Sequence, residues 1–321
     1  MADPRECDFL LIGLDCIYSL DHPFCRALVM CAFFSVLAFT VSSASNNFSQ
    51  VDKLWSVIPF LYTWMCICDR RTLLMAVLAT SWGIRLTWNF NRRGGYKWPP
   101  WCGDEDYRWQ VLRDGGLVQI LAHPFAWILF NIIFISFYQN FLLLLIAAPS
   151  FVAWSVASSP DCDYGAKELN ILDLVATLLF LVCVGIEATA DNQQWEFQQE
   201  KQRKRKEGEQ LVGEHADGFC QSGLFSIVRK PNYAAEQLIW VAFYMFSVAA
   251  TGKKLMNWSI VGSMLLIILF QGSGWFTESI TLKKYSKYAE YQKKVPLYIP
   301  TLSSLTAYML HSPGTSKRKA A

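Results

Sequence analysis

Seven apolar runs near the length of a membrane crossing alternate with short polar segments along this chain of 321 residues. They are Phe24–Val41, Leu54–Cys68, Thr72–Phe90, Leu117–Ala147, Leu169–Ala190, Tyr233–Ala250 and Trp258–Phe276. A helix needs about 20 apolar residues to cross a bilayer, because hydrocarbon offers no partner to an unpaired backbone amide or carbonyl. Charged residues make up only 17% of the chain, against about 25% in soluble proteins. The pattern predicts an all-α fold, a polytopic membrane bundle of about seven transmembrane helices, with residues 1–321 as a single integral membrane domain. The second run is short and contains Pro59. The fourth is long, with Pro124 near its start and Asn131, Gln139 and Asn140 inside, so it is expected to tilt, kink or split in two.

The net charge of +3 is too small and too dispersed for a nucleic-acid partner. Lys and Arg favour the cytosolic side of a membrane. With a lumenal N-terminus and a cytosolic C-terminus, 21 basic residues face the cytosol and seven the lumen, with Arg85 inside a span. Lys253 and Lys254 oppose this orientation. Met1–Asp21 is acidic and shows neither a basic n-region nor a cleavage pattern, so the first run is expected to be retained as a span. The tail Lys317-Arg318-Lys319-Ala320-Ala321 resembles a dibasic retrieval signal of endoplasmic-reticulum membrane proteins. Its plain alternative is a basic end. Residues 192–222 are expected as a cytosolic loop and 301–321 as a cytosolic tail. Within the loop, Gln193–Glu209 reads as a solvated amphipathic helix.

Metal and nucleotide motifs are missing. There is no Cys-x-x-Cys, and Cys66-x-Cys68 lies in an apolar run without His or carboxylate ligands, unlike a zinc site. Cys7, Cys16, Cys25 and Cys162 would face the lumen, where pairing is allowed. His22, His123, His215 and His311 are scattered, and no Walker loop, Gly-x-Gly-x-x-Gly after a strand or Gly-x-Ser-x-Gly elbow occurs. No metal is expected.

Polar side chains inside apolar runs are more informative, because a charge in a span is costly and usually faces other helices. Asp52 and Lys53 open the second run, and Arg85 lies mid-third. Asp173 begins the fifth, which Glu187 and Asp191 close. Asn232, Glu236 and Gln237 sit early in the sixth, with Gln271 and Glu278 late in the seventh. A spacing of four stacks Glu187 with Asp191, and Asn232 with Glu236 and Trp240. Arg85, Asn89 and Arg92 or Arg93 follow a similar spacing. Most of these groups fall at cytosolic helix ends. They are expected to form a pocket of carboxylates, arginines and aromatics above an apolar interior. The alternative is a set of interhelical ion pairs and interfacial anchors.

The stretch Gly223-Leu224-Phe225…Arg229-Lys230-Pro231-Asn232-Tyr233…Glu236…Trp240 resembles the signature of the steroid 5α-reductase-like superfamily. It is closer still to that superfamily's membrane branch of uncharacterised function. Trp82-Gly83-Ile84-Arg85-Leu86 with Arg92 and Arg93, Glu105–Arg113 and Thr277–Pro300 match the same branch, so the resemblance covers about Asp52 to Pro300. Membrane methyltransferases of isoprenylcysteine carry a similar Arg-His-Pro-x-Tyr segment and a similar Tyr-x-x-Tyr…Val-Pro ending. The resemblance implies NADPH bound at the cytosolic side of a seven-helix bundle. Asp191, Asn232, Tyr233, Glu236 and Trp240 would be cofactor residues, Arg92, Arg93 and Arg229 would take phosphates, and Glu278 would be a further polar contact. Two departures stand out. Lys230 replaces the signature His, and Trp82 stands where steroid reductases carry a tyrosine that polarises the substrate carbonyl.

The expected activity is NADPH-dependent reduction of a conjugated carbon–carbon double bond in a lipid or steroid-like substrate. Asp52 or Arg85 would polarise the substrate. One alternative is an S-adenosylmethionine-dependent lipid methyltransferase, with Glu236 or Glu278 on the cofactor's ammonium or ribose. The other is a non-catalytic lipid-binding membrane protein that has kept the fold. No obligate protein partner is expected, and the expected location is the endoplasmic-reticulum membrane.

Overall fold

The computed structural model describes residues 21–158, 168–252 and 255–311. Among these residues every regular element is a helix. Five helices are long and apolar enough to cross a membrane: Pro23–Ser45, Pro124–Ile146, Ile171–Lys206, Pro231–Ala250 and Ile260–Lys284. The protein is an all-helical, multi-pass membrane protein.

Two of the seven expected spans take another form. Leu54–Cys68 divides into Gln50–Trp55 and Ile58–Trp64. Pro59 sits in the first turn of the second piece, where its missing N–H would have no partner anyway. Thr72–Phe90 lies inside the 23-residue helix Arg70–Arg92, which is long enough to cross, but its arginines and asparagines keep it out of the apolar set. Its start is a capping box: Asp69 accepts from the Thr72 amide at 2.8 Å, and Thr72 Oγ1 accepts from the Asp69 amide at 3.0 Å.

The fourth run starts later than expected. Residues Gln119–Ala122 form a 3₁₀ turn, the helix opens at Pro124, and Asn131–Tyr138 is π-helical before regular geometry returns over Gln139–Ile146. A further helix, Ala148–Ser158, follows. The charged segment Gln193–Lys206 is not a separate helix but the end of Ile171–Lys206, which runs unbroken for 36 residues. That length rises about 54 Å, against about 30 Å of hydrocarbon, so its charged end projects into water. Asp173, Ala176, Phe180, Cys183, Glu187, Ala190, Phe197 and Lys201 are its buried residues, spaced by three and four along one face.

The chain forms two compact units. One holds Met1–Leu178 and Trp240–Leu266; the other holds Leu179–Ile239 and Ile267–Ala321.

In the first unit, helix Pro23–Ser45 turns small residues inward (Ala27, Cys31, Ser35, Ala38 and Ser42) and leaves Val29, Phe33 and Val36 exposed. This is membrane logic, since lipid tails are as apolar as the protein interior and close backbone approach rewards small side chains. Asn131 donates to Ser42 Oγ at 3.1 Å and Ser43 Oγ at 3.3 Å, which ties the π-helical stretch to that helix. Gly262 closes a second contact: a Cβ there would lie 2.0 Å from the Leu145 carbonyl oxygen. Cys25 is disulfide-bonded, whereas Cys7, Cys16 and Cys162 lie outside the described residues.

In the second unit, the segment before helix Pro231–Ala250 is tied to the chain after Tyr288–Lys294. The Arg229 and Lys230 amides donate to the Pro296 and Leu297 carbonyls at 2.8 and 3.1 Å, and Tyr291 Oη donates to the Phe225 carbonyl at 2.5 Å. Phe219, Tyr288 and Tyr291 form the aromatic core beneath.

Candidate functional site

Acidic and amide side chains gather inside the second unit. Asp191, Glu187 and Glu236 are buried, at 4, 5 and 5% exposure. Asn232 Nδ2 donates to Asp191 Oδ1 at 3.4 Å. Pro231 opens its helix and sets Asn232 and Tyr233 in the first turn, where the chain leaves the polar loop. Consecutive membrane crossings run in opposite directions, so one turn inward from the Asn232–Asp191 contact brings Glu236 to the depth of Glu187. Gln271 donates to Gln237 Oε1 at 3.0 Å, and Gln237 to the Tyr233 carbonyl at 2.8 Å. The Tyr233 ring meets Phe270 edge-on at 4.9 Å, with the Lys230 ammonium 5.1 Å from its centre. Lys230, at the signature His position, thus rests on an aromatic face.

Arg229 and Glu278 are joined to one another. Nε donates to Oε1 at 2.6 Å and Nη2 to Oε2 at 2.8 Å, while Nη1 donates to the Gln292 and Val295 carbonyls. A guanidinium has five N–H groups, so one is left for any other ligand. Burial opposes the charge of Arg229, but Glu278 outweighs it and holds the guanidinium pKa above its ordinary value. Glu278 also accepts from Tyr288 Oη and Gln292 Nε2, each at 2.8 Å. Burial, and then the charge of Glu278, push the Tyr288 phenol up, which keeps it a neutral donor. Tyr288 and Gln292 had no assigned role in the sequence; Tyr288 was visible only as half of a Tyr-x-x-Tyr pair.

The first unit holds Asp52, Arg85, Arg92, Arg93 and Trp240. Asp52 Oδ2 accepts from Trp109 Nε1 at 3.0 Å. Burial, and then the neighbouring charge of Asp106, raise the Asp52 carboxyl above the usual range. For Asp106 itself burial works upward, but Arg108 prevails and holds it below that range. Arg108 grips Asp106 with Nε at 2.9 Å and Nη2 at 2.8 Å. Arg92 donates to Asn89 Oδ1 through Nε and Nη2, at 3.0 and 2.8 Å. Arg93 is exposed and Arg85 half-buried. Trp240 is wholly enclosed, meeting Trp82 edge-on at 4.9 Å and Phe243 at 5.3 Å. Asp173 belongs to neither polar group. Arg71 holds it bidentately, Nε to Oδ1 and Nη2 to Oδ2 at 2.8 Å each.

Helices of membrane length with buried carboxylates and amides at their polar ends define a multi-pass membrane protein with a candidate polar site in each unit. Residues 38–295 match the family described as protein of unknown function DUF1295, and the chain belongs to that family. An uncharacterised protein of Schizosaccharomyces pombe is 34% identical over 301 residues, covering 89% of this chain and 82% of the relative. No solved structure matches the chain.

Proposed function

We propose that the protein is a membrane-embedded, NADPH-dependent reductase of a conjugated carbon–carbon double bond in a lipid or steroid-like substrate. The observation that carries this reading is the Asp191–Asn232 contact with Glu236 buried one turn deeper. Charged side chains are kept at such depth chiefly for function. The carboxamide and ribose hydroxyls of a dinucleotide need buried carboxylate and amide partners, and Asp191, Asn232 and Glu236 are of that kind. NADPH, when bound, supplies a hydride. The protein's part is to fix the geometry, which is worth about 7–11 kcal/mol of barrier when reacting groups are held in place.

Three expected roles change with the geometry. Arg229 and Glu278 position the segment that leads into Asn232 and do not grip the cofactor directly. Trp240, enclosed by Trp82, is a wall behind the site. Arg92 and Arg93 belong to the first unit, and Arg92→Ala asks whether they act on the cofactor.

Buried carboxylates would also suit the cationic head of S-adenosylmethionine, so the cofactor decides between reductase and methyltransferase. A ligand at 100 times its Kd adds about 2.7 kcal/mol to the stability of its receptor. NADPH is expected to raise the unfolding temperature of the purified protein and S-adenosylmethionine to leave it unchanged. The reverse pattern overturns the reductase.

The same reading places the protein in the endoplasmic-reticulum membrane with a cytosolic C-terminus. The basic residues and the Lys317–Lys319 tail support this. So does the Cys25 disulfide at the start of helix Pro23–Ser45, a bond that belongs in an oxidising lumen.

A further inference from the structure

Tyr62 lies on helix Ile58–Trp64 at 0% exposure. Its hydroxyl oxygen is buried and finds no hydrogen-bond partner among the described residues; the Cys31 thiol lies alongside it. Other tyrosines of this chain show how unusual that is. Tyr96 donates to the Lys53 carbonyl, Tyr244 to that of Leu255, Tyr291 to that of Phe225 and Tyr298 to that of Phe270. A hydroxyl taken from water with nothing in exchange costs about 1–3 kcal/mol, and such a group calls for an explanation.

Its position supplies one. Two hydrogen bonds bracket Tyr62 against helix Arg70–Arg92: Thr87 Oγ1 to Ser56 Oγ at 2.9 Å, and Trp64 Nε1 to Thr80 Oγ1 at 2.8 Å. Residue 56 is thus level with 87 and residue 64 with 80, which sets Tyr62 level with Ser81 and Trp82. Gly83 permits the close approach, since a Cβ there would come within 2.6 Å of both Phe60 Cδ1 and the Ser56 carbonyl oxygen. The hydroxyl therefore stands at the depth where Trp82 and Trp240 close the interior. An acid at that depth has to be neutral before it acts. A phenol is neutral at pH 7 and serves as a general acid, whereas Asp52 is already engaged by Trp109.

Resting on the reductase reading, we propose that Tyr62 is the acid of the reaction, holding the proton that the substrate carbonyl oxygen takes up. Hydride from NADPH forms a C–H bond at the β-carbon as the C=C π bond breaks, and the electron pair of that bond ends on the carbonyl oxygen. Tyr62 Oη–H protonates that oxygen and becomes a phenolate. When the enol tautomerises, the α-carbon takes a proton from water and the enol oxygen returns its proton to Tyr62. Each reduced double bond consumes one hydride and one solvent proton.

Tyr62→Phe tests this without disturbing the fold, because the oxygen removed has no hydrogen-bond partner. The variant is expected to unfold at the wild-type temperature or above and to keep wild-type protection by NADPH. In cells lacking the native protein, wild type shifts the lipid profile toward a saturated product, and Tyr62→Phe reduces the same lipid at least about 10²-fold more slowly, the usual contribution of a general acid. Wild-type lipid profiles from Tyr62→Phe overturn the assignment. So does a clear drop in its unfolding temperature, which would make the hydroxyl structural. A wild type that NADPH does not protect, or whose lipid profile equals that of the null cells, fails the reductase reading first and the Tyr62 assignment with it.

Discussion

Arg229 and Glu278, 49 residues apart in sequence, form a two-pronged ion pair, Nε to Oε1 at 2.6 Å and Nη2 to Oε2 at 2.8 Å. Through Tyr288, Gln292 and the Val295 carbonyl the pair fastens the approach to Asn232 onto the chain after Ile260–Lys284. Glu278→Gln leaves a guanidinium without its counter-charge and is expected to cost about 3 kcal/mol, the low end for a broken buried pair. Arg229→Lys cannot restore the fork and should lose most of the same stability. Denaturant unfolding in detergent measures both. Loss of NADPH protection with stability intact would instead make Arg229 a cofactor ligand.

Arg71 and Asp173 make the corresponding clamp in the first unit, each 2% exposed. Asp173→Asn or Arg71→Met alone is expected to destabilise by about 3–5 kcal/mol, whereas Arg71→Met combined with Asp173→Leu should recover much of the loss. Unfolding temperatures of the two single variants and the double variant separate these cases. Strict additivity would show that the two side chains do not depend on each other.

Two helical glycines are expected to respond in opposite ways. A Cβ at Gly262 would meet the Leu145 carbonyl oxygen at 2.0 Å, whereas at Gly272 nothing lies within 4 Å. Gly262→Ala is expected to cost about 1–3 kcal/mol through overpacking. Gly272→Ala is expected to gain about 0.5–1 kcal/mol, since alanine loses less backbone freedom in a helix. Thermal unfolding of the pair checks the sign of each.

Asp52 gives a pH dependence. Its carboxyl is raised in the fold by burial and by Asp106. Between the unfolded and folded pKa values the folded state therefore binds more protons, and stability falls as pH rises through that window. Asp52→Asn is expected to raise the unfolding temperature at pH 7 and to leave it nearly unchanged at a pH below both values. Asp106 runs the other way, because Arg108 depresses its pKa. Its contribution is present above the unfolded value and lost as pH falls through the folded one. A stabilising effect of Asp52→Asn that is equal at both pH values would exclude ionisation as the cause.

The helical membrane character was legible because apolar runs report directly on burial in lipid. The boundaries were less so. Pro59 and Pro124 looked like interruptions and are helix starts, and Pro149 hid the helix Ala148–Ser158 in the same way. Among site residues, the four-residue spacing of Asn232 and Glu236 announced a shared face. The Arg229–Glu278 pair was invisible, because a long-range partner competes with the phosphate role that an arginine before the signature proline invites. Tyr62 was hidden for the opposite reason. In an apolar run a tyrosine reads as core, and only its bonded neighbours reveal that its hydroxyl is left over.

The central claim is that Asp191 and Glu236 hold a dinucleotide. Titrating NADPH against the purified protein and following the emission of the reduced nicotinamide tests it most directly. Wild type is expected to bind saturably, and Asp191→Asn and Glu236→Gln each to weaken binding at least about tenfold, a loss of about 1.4 kcal/mol. Saturable binding that both substitutions leave unchanged, or no binding by folded wild type, would contradict the account.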